Sequence, residues 1–125
     1  MADRTSRYAV LPLPVVQKTA RKQLSTRQLQ AGIRHARILR FYPDVPDLDI
    51  KPCGDGMELV FQDAEIGKQG WLRAIFWIDE KAKTIYVVDL FWKKTNAISN
   101  ADRLRADHRI HGLKLVLKKG QKPWR

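Results

Sequence analysis

Hydrophobic residues recur along this chain with two periods, four in its first third and two in its middle, and the switch predicts its elements. Tyr8 to Leu13 is a short apolar run closed by Pro12 and Pro14, which suits an edge strand because proline cannot donate to a ladder. Pro14 fits the first turn of a helix on which Val16, Ala20 and Leu24 recur at intervals of four. Ser25-Thr26-Arg27-Gln28 then has the form of a capping box, so a second helix starts at once. On it Leu29, Ile33, Ala36 and Leu39 should face inward and Arg27 and Arg34 outward. Two helices joined this tightly predict an antiparallel hairpin with a dry inner seam.

The stretch from Phe41 to Gly56 carries three prolines and four aspartates and reads as a structured connection, ended by an Asp55-Gly56 turn. After it the period becomes two. Met57 to Gln62 is a strand with Met57, Leu59 and Phe61 on one face. From Trp71 to Asp79, Trp71, Arg73, Ile75 and Trp77 alternate with Leu72, Ala74, Phe76 and Ile78, and Thr84 to Trp92 alternates in the same way. The polar Asp79 to Lys83 between them predicts a hairpin, so the three runs form an antiparallel meander. Ser99 with Asp102 caps a last helix that turns Ala106, Ile110 and Leu113 to the core. Either Gly112 ends it and Leu113 to Leu117 forms a late strand, or the helix runs through at a cost of about 1 kcal/mol.

These elements make an α+β fold in one domain spanning residues 1–125, with a basic, mobile tail from about residue 118. A small antiparallel sheet, the meander plus the N-terminal edge strand, is packed by an N-terminal helical hairpin and a C-terminal helix. No apolar run has the length of a membrane span, and the N-terminus lacks the apolar core of a secretory signal. Cys53 is the one cysteine and has no partner for an internal disulfide. A cytoplasmic protein with no membrane contact is expected.

Charge sharpens this picture. Residues 1–40 hold nine cations against one carboxylate, residues 41–80 three against nine, and residues 81–125 twelve against three, for a net +11. Basic ends around an acidic middle attract polyanions, of which nucleic acid is the commonest in a cytoplasm. Phe91-Trp92-Lys93-Lys94-Thr95 sets two ammonium groups and an aromatic pair at a strand end, an arrangement suited to phosphate contact and base stacking. Tryptophans such as Trp77 and Trp92 are more often core than stacking platform. Arg73, amid apolar residues in mid-strand, needs a partner, and Glu58 on the neighbouring strand is the candidate. His108 and His111, with Asp107 beside them, have a spacing that can hold a metal, but histidines on an exposed basic helix usually hold none.

The element order resembles the RelE/ParE superfamily of toxins, and the sequence is most similar to its HigB-like branch, described as phage-derived. Gly56-Met57-Glu58-Leu59, Trp71 to Phe76 with Arg73 midway, and Leu90-Phe91-Trp92-Lys93-Lys94-Thr95 carry the likeness, followed by the capped helix with Ala101, Ala106 and Arg109. Val60 stands where the family usually has arginine. The resemblance implies the toxin of a type II toxin–antitoxin pair, an endoribonuclease cutting mRNA, often on the ribosome, without metal or cofactor. The partner would be a cognate antitoxin. Arg73, Lys93, Lys94 and His108 would be catalytic, and Trp92, Thr95, Arg109, Arg27 and Arg34 would hold RNA. Two other outcomes stay open: a ParE-like inhibitor of DNA gyrase, and an inactive RNA-binding descendant of the fold.

Overall fold

A computed structural model describes residues 6–61, 71–93 and 98–123 of the chain. The elements in order are β1 (Ala9–Pro12), α1 (Pro14–Gln23), α2 (Thr26–Leu39), β2 (Asp49–Cys53), β3 (Gly56–Val60), β4 (Trp71–Asp79), β5 (Thr84–Lys93) and α3 (Asn100–Lys118). They build one five-stranded sheet in the order β1-β5-β4-β3-β2. Strands β2 to β5 form an antiparallel meander, and β1 pairs parallel to β5, with Ala9 opposite Thr84. The α+β expectation holds, with the helices on both faces of the sheet.

The local signals at the start of the chain act as the sequence predicts. Pro14 opens α1. The Ser25 hydroxyl accepts from the Gln28 N–H at 3.2 Å while the Gln28 side chain accepts from the Ser25 N–H at 2.8 Å. The pairing of α1 with α2 differs from the expected dry seam. Both helices lie over the sheet and leave beneath them an apolar cavity of about 160 Å³, lined by Leu24, Leu29, Gly32, Leu72 and Phe76 among others. Ala31 and Leu39 are the buried residues of α2, and Ile33, expected inside, is 52% exposed.

Asp49–Cys53, expected as connection, is an edge strand with Pro52 opposite Met57. Proline is tolerated because an edge strand needs no donor on its outer side. A two-residue turn, Gly54-Asp55, closes the hairpin with β3, so the meander has four strands instead of three. Gly54 sits at φ +56°, and a Cβ there would collide with the Asp107 carboxylate. That carboxylate accepts the Asp55 N–H at 2.8 Å and so ties the turn to α3.

The alternation read for β5 is broken in its middle. Asp89 pairs with Ile75 and Val87 with Phe76, which leaves Val88 as the extra residue of a bulge. Val87 and Leu90 turn toward the helices α1 and α2, in one apolar cluster with Leu59, Leu72, Ala74 and Phe76. Val88 turns the other way, into a second cluster with Ile75, Tyr86, Ala106, Ile110 and Leu113 beneath α3. Asp89 goes with it.

α3 runs through Gly112, and no strand forms from Leu113 to Leu117. Nothing lies within 4 Å of where a Cβ on Gly112 would be, so that glycine costs only propensity. The stop is Gly120, at φ +74°. Its N–H donates to the Leu117 carbonyl at 3.0 Å and the Gln121 N–H to Val116 at 3.1 Å, the paired bonds of a Schellman motif. No helix among the described residues is long and apolar enough to cross a membrane.

Candidate functional site

The bulge at Val88 fixes where the polar chemistry collects. It turns Asp89 to the α3 side, where the carboxylate is 3% exposed. Arg105 donates to it from Nε at 2.9 Å, and Arg109 from Nη1 at 2.9 Å. Arg109 also donates to the Val88 carbonyl at 3.1 Å. One buried carboxylate therefore anchors two guanidiniums that come from successive turns of α3.

The network continues toward the end of β5. Arg105 donates from Nη2 to Asp102 at 2.9 Å, and Lys93 reaches the other oxygen of Asp102 at 3.2 Å. Ser99, the cap of α3, donates its hydroxyl to Asp102 at 2.9 Å and accepts the Asp102 N–H at 3.1 Å. Burial pushes the Asp102 carboxyl up, but the hydrogen bonds from Ser99, Lys93 and Arg105 outweigh it and hold the group below the usual range. Burial likewise works against charge on Arg105, and Asp89 and Asp102 reverse the effect and raise its pKa. A second, deeper pair lies on β3 and β4. Arg73, 1% exposed, donates to Glu58 at 2.6 Å, and Lys51 approaches the other Glu58 oxygen at 3.7 Å.

The ion pairs of this network among the described residues thus join five cations, Lys51, Arg73, Lys93, Arg105 and Arg109, to three carboxylates, Glu58, Asp89 and Asp102. A guanidinium carries five N–H donors in a rigid fork. These bonds use only some of the donors of Arg105 and Arg109, on side chains 40% and 27% exposed. Such pre-oriented, half-exposed forks suit bidentate contact with an anionic oxygen pair, above all a phosphate.

No family model matches the sequence, and no curated protein matches it. Among solved structures the chain is similar to a mutant of the Escherichia coli toxin RelE in the free state, with 14% identity, over 83% of this chain and 98% of that one, at a TM-score of 0.58. The chain has a RelE-like fold. The archaeal RelE–RelB complex from Pyrococcus horikoshii OT3 also aligns, at 22% identity over 73% of this chain and 99% of that one, with a TM-score of 0.49. The fold assignment rests on the first.

Within this RelE-like fold the sequence-predicted residues are distributed unevenly. Lys93 and Arg109 meet in the network. Arg73 lies beneath the surface, turned onto Glu58. Trp92 faces the opposite side of the sheet and packs on the apolar cluster under α1 and α2. Trp77 stacks on Tyr86 at 6.3 Å with the Lys114 ammonium 5.5 Å from its ring. His108 is exposed, two residues from the buried Ile110 and so on the far side of α3 from the sheet. Arg27 and Arg34 are exposed on α2, across the sheet from the network. Lys94 and Thr95 lie outside the described residues. Among the described residues, no group of three or more His, Cys, Asp or Glu side chains is placed to hold a metal ion.

Sequence reasoning missed Asp89 and Arg105, and read Asp102 only as the cap partner of Ser99. Asp89 was a lone acid in an apolar strand, the same signal that singled out Arg73, and it marks a buried charge that must have a partner. Cys53 is buried on the α3 side of the sheet, in the cluster with Ile75 and Val88, and burial, then Glu58 and Asp107, raise its thiol pKa. That pushes the thiol away from the reactive thiolate.

Proposed function

We propose that this chain is the toxin of a type II toxin–antitoxin pair and acts as a metal-independent endoribonuclease on mRNA, engaged on the ribosome and held in check by a cognate antitoxin. The observation that carries the reading is the pair of half-exposed guanidiniums, Arg105 and Arg109, locked on one buried carboxylate beside Lys93, in a RelE-like fold. RNA brings its own nucleophile, the 2′-hydroxyl. An enzyme for it must align that oxygen with phosphorus and neutralise the phosphorane charge that develops, while the 2′-hydroxyl proton passes to water and the 5′-oxygen takes a proton as its bond to phosphorus breaks, leaving a 2′,3′-cyclic phosphate. Fixed guanidiniums serve the alignment and the charge without reorganising. Arg109 and Arg105 take the phosphate oxygens, and Lys93 lies at the strand end where the neighbouring phosphate of the strand passes. Arg73 acts indirectly, by holding β3 to β4 through Glu58, so that the sheet under the network stays rigid.

A second reading has its own support. Among the described residues no imidazole lies beside the network, Arg73 is buried, and Val60 is buried at 6% where the family usually carries arginine. These features favour an RNA-binding descendant without cleavage. Expression without a partner separates the readings. The endoribonuclease reading expects growth arrest with cleaved mRNA while DNA replication initially continues, and relief by Arg105→Ala/Arg109→Ala in a protein that still melts cooperatively. Intact mRNA with replication halted first would make the chain a gyrase inhibitor. Normal growth with soluble, folded protein that binds RNA would leave the non-cleaving reading.

A further inference from the structure

α3 is apolar on two opposite sides. Ala106, Ile110 and Leu113 are buried against the sheet. At about 100° per residue, Leu104, His108, His111 and Leu115 fall within about 60° of one another on the other side. All four are exposed, Leu104 at 63% and Leu115 at 47%. The stripe runs roughly 16 Å along the helix, three turns of it. A lone exposed leucine needs no explanation, but two on one stripe, joined by two imidazoles on a helix whose inner side is already packed, form a surface that water serves poorly.

The rim of that stripe is basic. Arg103 and Lys114 line one edge of it, Lys114 with its ammonium 5.5 Å from the Trp77 ring, and Lys118 and Lys119 follow its last leucine, all exposed. The one carboxylate at its edge, Asp107, is engaged by the Asp55 N–H. A second copy of the chain would bring basic rim against basic rim in a protein of net charge +11. A nucleic acid would meet the cations and leave the leucines in water. We propose that the outer stripe of α3 is a docking surface for an acidic amphipathic helical segment of another protein, with apolar side chains at every third or fourth position and Asp or Glu beside them. The proposal stands independently of endoribonuclease activity, since it uses none of the side chains of the polar network.

The probe is a synthetic helix-forming peptide with leucines spaced as on the stripe and glutamates on its flanks, followed by fluorescence anisotropy on the full chain. Binding should be weakened about tenfold or more by Leu104→Gln/Leu115→Gln, the loss that two anchoring side chains carry. It should also be weakened by Arg103→Gln/Lys114→Gln and unchanged by Lys18→Gln/Arg21→Gln on α1. The same peptide with lysine for glutamate should not bind. The substituted leucines are exposed, so the variants should melt with the parent, and that is checked first. Absence of binding by the glutamate peptide, equal binding to the leucine variant, or equal binding of the two peptides would overturn the proposal. So would leucine-dependent binding of phosphatidylglycerol vesicles in preference to the peptide, or leucine-dependent self-association in sedimentation.

Discussion

Under α1 and α2 the sheet presents Leu59, Leu72, Ala74 and Phe76, without a polar side-chain atom among them. Under α3 the same strands present Glu58, Arg73 and Asp89, three charges at most 3% exposed, beside Ile75 and Val88. The two sides are buried to the same degree by different physics. Apolar contact is non-directional and tolerates a cavity of the kind found beneath α1 and α2. Ion pairs in a dry interior are directional, and each charge there must have its partner in place. The apolar side therefore holds the fold with latitude, and the charged side fixes where particular atoms stand.

The sharpest way to break this contrast is to cut one member from each side. Phe76→Ala should cost about 3–5 kcal/mol from transfer and cavity terms. Arg73→Ala should cost about 3–5 kcal/mol by stranding Glu58. Repair distinguishes them: Arg73→Met/Glu58→Leu should recover most of the loss because it removes both charges, as urea melts of the singles and the double will read. If the double is as unstable as Arg73→Ala, the pair is not the source of the cost.

A second test bears on function. Arg109→Ala should lower RNA cleavage by about a hundredfold, the scale of one preorganised contact to developing charge; it also leaves Asp89 to Arg105 alone and should lower the melt, so cleavage is compared below the variant's own melting range. Lys18→Ala, on the apolar side's outer surface, should leave cleavage unchanged. Equal losses would mean that general basicity, and not the Asp89 anchor, governs RNA contact.

Smaller effects sharpen the boundary between the two sides. Ser99→Ala removes both the cap of α3 and a hydrogen bond to Asp102, and should cost about 1 kcal/mol. The smallest effect expected is in pH. Asp102 binds its proton less readily folded than unfolded, so its stabilising contribution is complete above the ordinary carboxylate range and is lost as pH falls through the lowered folded value. Asp102→Asn should therefore flatten the acid limb of the stability curve, while Leu72→Ala shifts the curve down without changing its shape.

Local chemistry made much of the fold legible. The Ser25 and Gln28 box, the Pro14 start and the hairpin of β4 and β5 depend on residues near one another in sequence, and each forms as expected. What stayed hidden depends on distant partners. β2 exists because β3 offers it a ladder, which the composition of Asp49–Cys53 conceals. The bulge at Val88 leaves no trace in a strand that is apolar on both faces, yet it decides which way Asp89 points. Of the candidate site, Lys93 and Arg109 were found from the strand-end cluster and the resemblance. Arg105 was missed, and Asp102 was read only as a cap, because their joint role arises only where α3 crosses β5.

The parallel pairing of β1 with β5 has a consequence for how the chain is made. Ala9 must wait for Thr84, 75 residues later in synthesis. At about 5–20 residues per second on the ribosome, that is roughly 4–15 s during which β1 exists with its ladder partner still unmade. Pro12 at the end of β1 and Pro14 at the start of α1 deny a stray strand consecutive donors over that interval. The lateral pairing of β1 is thus one that cannot close until the final strand of the meander, β5, has been translated.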